Sequence, residues 1–87
     1  MDDELWSKLS YVEMSKNRTE TLRVLSESEK PMTPTEVSEE LDIAFNSASR
    51  ALRQLSEKEL VECINPEAPR YRRYRLTEDG EKISQNL

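Results

Sequence analysis

The 87 residues predict a single α+β domain that is mostly helical: a three-helix core, a two-stranded β-hairpin, an added N-terminal helical segment and a closing C-terminal helix. Three observations carry that expectation. Apolar residues recur at three- and four-residue spacing through the first 58 residues, broken by start and stop signals. After Lys58 the pattern switches to short β-rich runs around a loop with two prolines. A chain of this length buries only a modest core, so one domain is the most it can hold.

Residues 1–14 come first. Leu5, Leu9 and Val12 fall at i, i+4 and i+7, one stripe of a helix. Asp2, Asp3 and Glu4 stand at its start, where carboxylates favour the positive end of the helix dipole. Trp6 flanks the stripe and has two readings: a core plug, or a contact to a second copy. Ser15 is the expected N-cap of a helix over Lys16 to Glu29, with Leu22 and Leu25 on its buried face. Pro31 blocks its continuation. Thr33-Pro34-Thr35-Glu36 reads as a capping box with proline at the first helical position, and Met32 and Val37 can staple across it. That helix should run Pro34 to Leu41, burying Val37 and Leu41. Asp42 and Ile43 make a short turn. The next helix should run from about Phe45 to Lys58, burying Ala48, Ala51 or Leu52, and Leu55. Residues 33–58 therefore read as a helix–turn–helix.

Residues 60–76 read as a hairpin. Leu60 to Ile64 is one strand, residues 65–69 are a loop, and Tyr71 to Leu76 is the second strand. On the second, Tyr74 and Leu76 share one face, and Arg73 and Arg75 the other. Thr77 caps a last helix, Glu78 to Gln85, within residues 77–87. This order is that of a winged helix–turn–helix domain.

Composition excludes several function classes. One Cys and no His rule out an internal disulfide and any Cys/His metal site. There is no calcium-type Asp-rich loop, no phosphate loop and no nucleophile–base pair, so neither an enzyme nor a cofactor is expected. The first residues are acidic with no apolar run behind them, and no stretch is long enough to span a bilayer. A soluble cytoplasmic protein is the expectation. The net charge is −5, which taken whole argues mildly against nucleic acid. Its distribution argues the other way. Residues 43–76 hold seven basic and four acidic side chains, a net +3, so the flanks carry −8. A polarised field can dock one face on a polyanion and repel it elsewhere.

The stretch Thr33 to Gly80 resembles the winged helix–turn–helix transcription regulators of the MarR/ArsR-like type, particularly the small single-domain forms common in archaea. The resemblance rests on TPTEVSEELDIAFNSASRALRQL, SEKELVECINP and RRYRLTEDG, and Ser15-Lys16-Asn17-Arg18 fits the family's first helix. It implies a DNA-binding regulator, acting as a homodimer, with the second helix of the motif in the major groove and the wing on the backbone or minor groove. Three positions depart from the pattern. Glu59 stands where glycine relieves a left-handed helix end. Asp42 stands in the turn in place of Gly or Asn, and Ala44 where a Ser or Thr cap is frequent. ArsR-type metal sensing is not carried over, because the ligands are lacking.

In a helix–turn–helix the N-terminal residues of the second helix lie nearest the bases. Asn46, Ser47, Ser49 and Arg50 are the candidates here, then Arg53 and Gln54 a turn later. Asn can bond adenine bidentately, Arg can bond guanine, and Ser reaches base or phosphate. The bland alternative is that Asn46 and Ser47 are only short polar side chains of a first turn. Thr33 and Thr35 open the first helix, whose free N–H groups can hold a phosphate, and Thr35 is the better contact candidate. Arg70, Arg72, Arg73 and Arg75 form the wing cluster. Charged edge strands are common for other reasons, but four arginines with no acid among them go beyond that need. Arg70, Arg72 and Arg73 are the wing contacts expected, whereas Arg75 lies near the body and could pair with an acid such as Glu78. Cys63 reads as a small buried hydrophobe, with a redox-sensing thiol as the sharper alternative. The competing function is an acidic winged helix that binds protein in a transcription or DNA-handling complex. Operator, effector and sign of regulation are not encoded legibly.

Overall fold

Four of the five helices begin where the sequence offers a short polar side chain. The computed structural model describes residues 1–87. Helix α1 spans Asp3–Glu13, α2 Lys16–Glu27, α3 Pro34–Leu41, α4 Phe45–Glu57 and α5 Glu78–Ser84, with strands β1 (Val61–Cys63) and β2 (Tyr74–Leu76) between α4 and α5. Asp2 Oδ1 accepts the Leu5 N–H at 2.9 Å, and Ser15 Oγ accepts that of Arg18 at 3.2 Å. Thr77 Oγ1 accepts from Gly80 at 3.0 Å. At α3 the capping box is complete: Thr33 Oγ1 accepts the Glu36 N–H at 3.1 Å, and Glu36 Oε1 accepts the Thr33 N–H at 2.9 Å. Each cap satisfies a donor that the helix itself leaves free, worth about 1 kcal/mol. Ala44 at the head of α4 makes no such bond.

What α4 lacks at its cap it recovers in packing. Ala48, Ala51, Leu52 and Leu55 are buried along one side, against α2, α3 and β1. They join Val12, Leu22, Val37, Leu60, Val61 and Ile83 in one core. Helix α1 adds Leu5 and Leu9 to that core. The two strands pair antiparallel in the register Val61 with Leu76, Glu62 with Arg75 and Cys63 with Tyr74. A one-residue bridge pairs Met32 with Tyr74 through bonds of 2.9 and 2.8 Å, so the segment before α3 forms a short third rung. Nothing in the residue pattern of Pro31-Met32 announces that rung.

Several expected boundaries move. Helix α2 stops at Glu27 rather than Glu29, because the Ser28 hydroxyl bonds to both the N–H and the carbonyl of Lys30 and turns the chain. Helix α5 ends at Ser84, with Gln85 as its cap. The hairpin strands are shorter than Leu60–Ile64 and Tyr71–Leu76. Tyr71 is held at φ 57°, which breaks an extended run, and a single further bond, Ile64 N–H to Arg73 carbonyl, continues the pairing. Leu41 is half-buried rather than buried. Trp6 is 51% exposed, which excludes the core-plug reading. Asp42 takes the left-handed conformation its turn position suggests (φ 54°), and Glu59, open between a strained cap and a different helix end, is left-handed too (φ 60°).

Gly80 has a role that its place in the sequence does not suggest. A Cβ there would lie 2.0 Å from the Leu60 carbonyl oxygen, which also accepts the Thr77 N–H. The first turn of α5 thus rests on backbone that cannot yield easily. Gly80→Ala is expected to lower the unfolding free energy by about 1–3 kcal/mol, read by urea denaturation. The same measurement should move the other way for Thr21→Val. Thr21 is fully buried and its hydroxyl has no partner, so removing it should stabilise by on the order of 1 kcal/mol.

Candidate nucleic-acid interface

Helix geometry sorts the side chains of α4 into three lines. Opposite the buried line, Asn46, Arg50 and Arg53 are exposed, and Glu57 continues the same line at the far end. Ser47 and Ser49 are half-buried and lie on either flank. Ser47 and Arg50 border a depression of about 200 Å³ shared with Ser15, Asn17 and Arg18 of the α2 start. Ser49 borders a groove of about 440 Å³ on the other flank, between α3, α4 and the wing. Thr35, Arg70 and Arg72 line that same groove, and no acidic residue does. The structure therefore brings together four of the nine candidates, Thr35, Ser49, Arg70 and Arg72, around one groove. Asn46 and Arg53 stand on the adjoining exposed face, and Arg73 is exposed just before β2.

The position of α4 is held by a cluster behind it. Arg18 donates to the Tyr11 carbonyl from Nε at 2.9 Å and from Nη2 at 2.6 Å, and from Nη1 to Gln54 Oε1 at 3.2 Å. Its guanidinium also lies 3.9 Å from the Tyr11 ring centroid, and Lys58 Nζ approaches the same ring at 4.9 Å. Gln54, expected to face outward with Arg53, is instead occupied by this link and half-buried. The spacing of α4 alone could not show that, because the partner lies 36 residues earlier.

The wing tip is organised by Asn65. Its Oδ1 accepts the Arg73 N–H at 2.8 Å, its Nδ2 donates to the Tyr71 carbonyl at 3.2 Å, and the Cys63 thiol lies 3.6 Å from Oδ1. Cys63 is thus half-buried in the hairpin and not part of the core. Arg72 Nε donates to the Ala68 carbonyl at 2.9 Å, so part of this guanidinium closes the loop. Arg75 pairs with its cross-strand neighbour Glu62 at 2.8 Å, while Glu78 pairs with Lys82. The pairing suggested with Glu78 is thereby corrected: register sets Arg75 opposite Glu62. Arg50, Arg53, Arg70, Arg72 and Arg73 form no ion pair.

Two groups have shifted protonation. The Glu36 carboxyl is held below its ordinary value, chiefly by the Thr33 backbone N–H, with the Thr33 hydroxyl and Arg73 acting in the same direction against burial. Burial pushes the Tyr74 phenol up, Cys63 adds to this, and Arg72 opposes it. Tyr74 is therefore a neutral wall of the groove at neutral pH.

Two residues of this face escaped the sequence reading. Phe45 is 52% exposed and Tyr71 73% exposed, and both line the wing groove. Tyr71 sits between Arg70 and Arg72, an aromatic interleaved with basic residues, and that signal was available. No helix is long and apolar enough to cross a membrane, and no group of acidic or thiol side chains is placed to hold a metal.

Comparison with known proteins bears on this geometry. The family model described as the HVO_A0261 N-terminal domain matches residues 6–87. No curated protein sequence matches the chain. Among solved structures, the MarR family transcription regulator SP03579 aligns at a TM-score of 0.75 and 26% identity, over 93% of this chain and 54% of that one. A MepR–DNA complex from S. aureus aligns at 0.74 and 21%, over 95% of this chain and 68% of that one. Wild-type ZitR of Lactococcus lactis in complex with DNA aligns at 0.68 and 24%, over 79% and 47%. This chain spans about half the length of the ZitR structures it matches. The architecture is a winged helix of the MarR-like type, five helices with a two-stranded antiparallel wing.

The Glu36 shift generates a pH dependence with a definite sign. Its folded-state value is below that of the unfolded chain, so its contribution is complete above the unfolded value and is lost as pH falls through the folded one. Glu36→Gln keeps a capping side chain without the charge. The stability difference between parent and variant, followed by thermal melting, should be largest near neutral pH and shrink from about pH 5 downward.

Proposed function

The chain belongs to the HVO_A0261 N-terminal domain family, and from its winged helix we propose that it binds double-stranded DNA as a transcription regulator, with residues 1–87 acting as one domain. The leading end of α4 enters the major groove. There Asn46 reads adenine, and Arg50 and Arg53 read guanine or hold phosphate, with Ser47 and Ser49 bonding to base or backbone. The sugar–phosphate strand passes along the groove between α4 and the wing. Thr35 at the start of α3 and Arg70, Arg72 and Arg73 of the wing hold it, with the wing tip at the minor groove. The observation that carries this reading is that Arg50, Arg53, Arg70, Arg72 and Arg73 are exposed and form no ion pair, while the groove lined by Arg70 and Arg72 has no acidic lining. The MepR and ZitR structures described as DNA complexes support it.

A homodimer on a roughly palindromic site completes the proposal. Trp6 and Met14 leave apolar surface in solvent along α1, where a second copy would cover it together with α5. The net charge of −5 favours a second reading, an acidic module that docks on protein.

Electrophoretic mobility shift with random duplex at low and moderate salt separates the two. The DNA reading expects complexes that weaken steeply as salt rises. Arg50→Ala combined with Arg73→Ala should lower affinity by about tenfold or more and flatten the salt slope by about two. Absence of any complex at low salt would leave the protein-docking reading in its place.

A further inference from the structure

The arginines account for affinity but leave one wall of the wing groove without a task. Phe45 is the first residue of α4 and the one large apolar side chain that this helix leaves in solvent. It borders the stripe of Ala48, Ala51, Leu52 and Leu55 that anchors the helix, but half of its surface stays in solvent. Helical side chains lean toward the N-terminus, so the ring lies at the leading end of α4, one position before Asn46 and one turn ahead of Ser49. Thr35, Ser49, Arg70 and Arg72 bring hydroxyls and cations to the groove it shares with them, and Pro69 and Tyr71 add apolar surface. Such a rim suits a polyanion, and the apolar ring at its end needs a partner of another kind.

The DNA-binding reading above supplies the setting on which this inference rests. On the major-groove edges of the base pairs, almost every group is a hydrogen-bond donor or acceptor, which a phenyl ring cannot satisfy. The exception is the C5 methyl of thymine, against which an apolar side chain packs. We propose that Phe45 is a specificity-determining residue that contacts a thymine methyl, so that each half-site requires a thymine beside the base read by Asn46. Thymine recognition then comes from shape and loss of water, and not from a hydrogen bond. It is independent of the wing arginines, which contact backbone common to every sequence.

Replacing thymine by deoxyuridine removes the methyl and nothing else, which makes the proposal testable on the whole chain. Duplexes are first selected from a random pool, and each thymine is then replaced in turn. The parent protein should lose about fourfold in affinity at one thymine per half-site, the worth of one buried methyl. Phe45→Ala should bind the thymine duplex about fourfold or more weakly and be indifferent to the replacement at that position, with its helical circular dichroism spectrum retained. Parent protein that binds every deoxyuridine duplex as tightly as the thymine one overturns the contact while leaving DNA binding intact. So does a Phe45→Ala variant that keeps the full preference for thymine. Failure of the parent to select or bind any duplex overturns the DNA-binding reading itself, and the thymine contact with it.

Discussion

The burial of one side of α4 is the constraint on which the rest of the molecule depends. Ala48 and Ala51 are small enough for α4 to lie close against its neighbours, while Leu52 and Leu55 fill the space that remains. This helix has no side-chain cap, so tertiary packing holds it more than its own sequence does. Once that side is fixed, the opposite side is fixed too, since helix geometry leaves no other orientation for Asn46, Arg50 and Arg53. The wing is tied to the same point. Chain leaving α4 passes through the left-handed Glu59 to Leu60, whose carbonyl carries the start of α5 and whose neighbour Val61 opens β1.

Charge follows the same division. Acids of α1 and α2 make local pairs, such as Glu4 with Lys8 and Glu20 with Arg23. Surface pairs of this kind contribute little to stability. Residues outside 43–76 carry a net −8, while Arg50, Arg53, Arg70, Arg72 and Arg73 form no ion pair. A net negative total is therefore compatible with one cationic face, because at physiological salt a charge is felt over only about 8 Å.

Legibility in the sequence varied with the range of the interaction that decides each feature. The α3 start was fully readable, because the capping box lies within four residues and proline fixes its position. The left-handed turn at Asp42 and the uncapped head of α4 were readable for the same reason. What failed was decided by partners far along the chain or by unpatterned polar contacts. Gln54 was assigned to the outer face because Arg18 could not be seen to reach it. Arg75 was paired with the wrong acid because register, and not proximity in sequence, selects Glu62. The wing strands are shorter than their residue pattern suggests, with Tyr71 left-handed and Asn65 bonding across eight residues to Arg73. Phe45 opens a helix in the sequence pattern, and only the fold shows its ring half-exposed on the wing groove.

The Arg18 guanidinium deserves to be seen as a mechanical part. It holds the end of α1 through the Tyr11 carbonyl and the last turns of α4 through Gln54, and the Arg18 backbone N–H donates to the Ser15 cap of α2. Helix α2 thus carries a rigid, planar group that links α1 to α4 and remains charged at any pH a cell reaches. The end of α1 and the helix that carries Arg50 are fastened by one side chain, and neither can shift there without stretching its bonds.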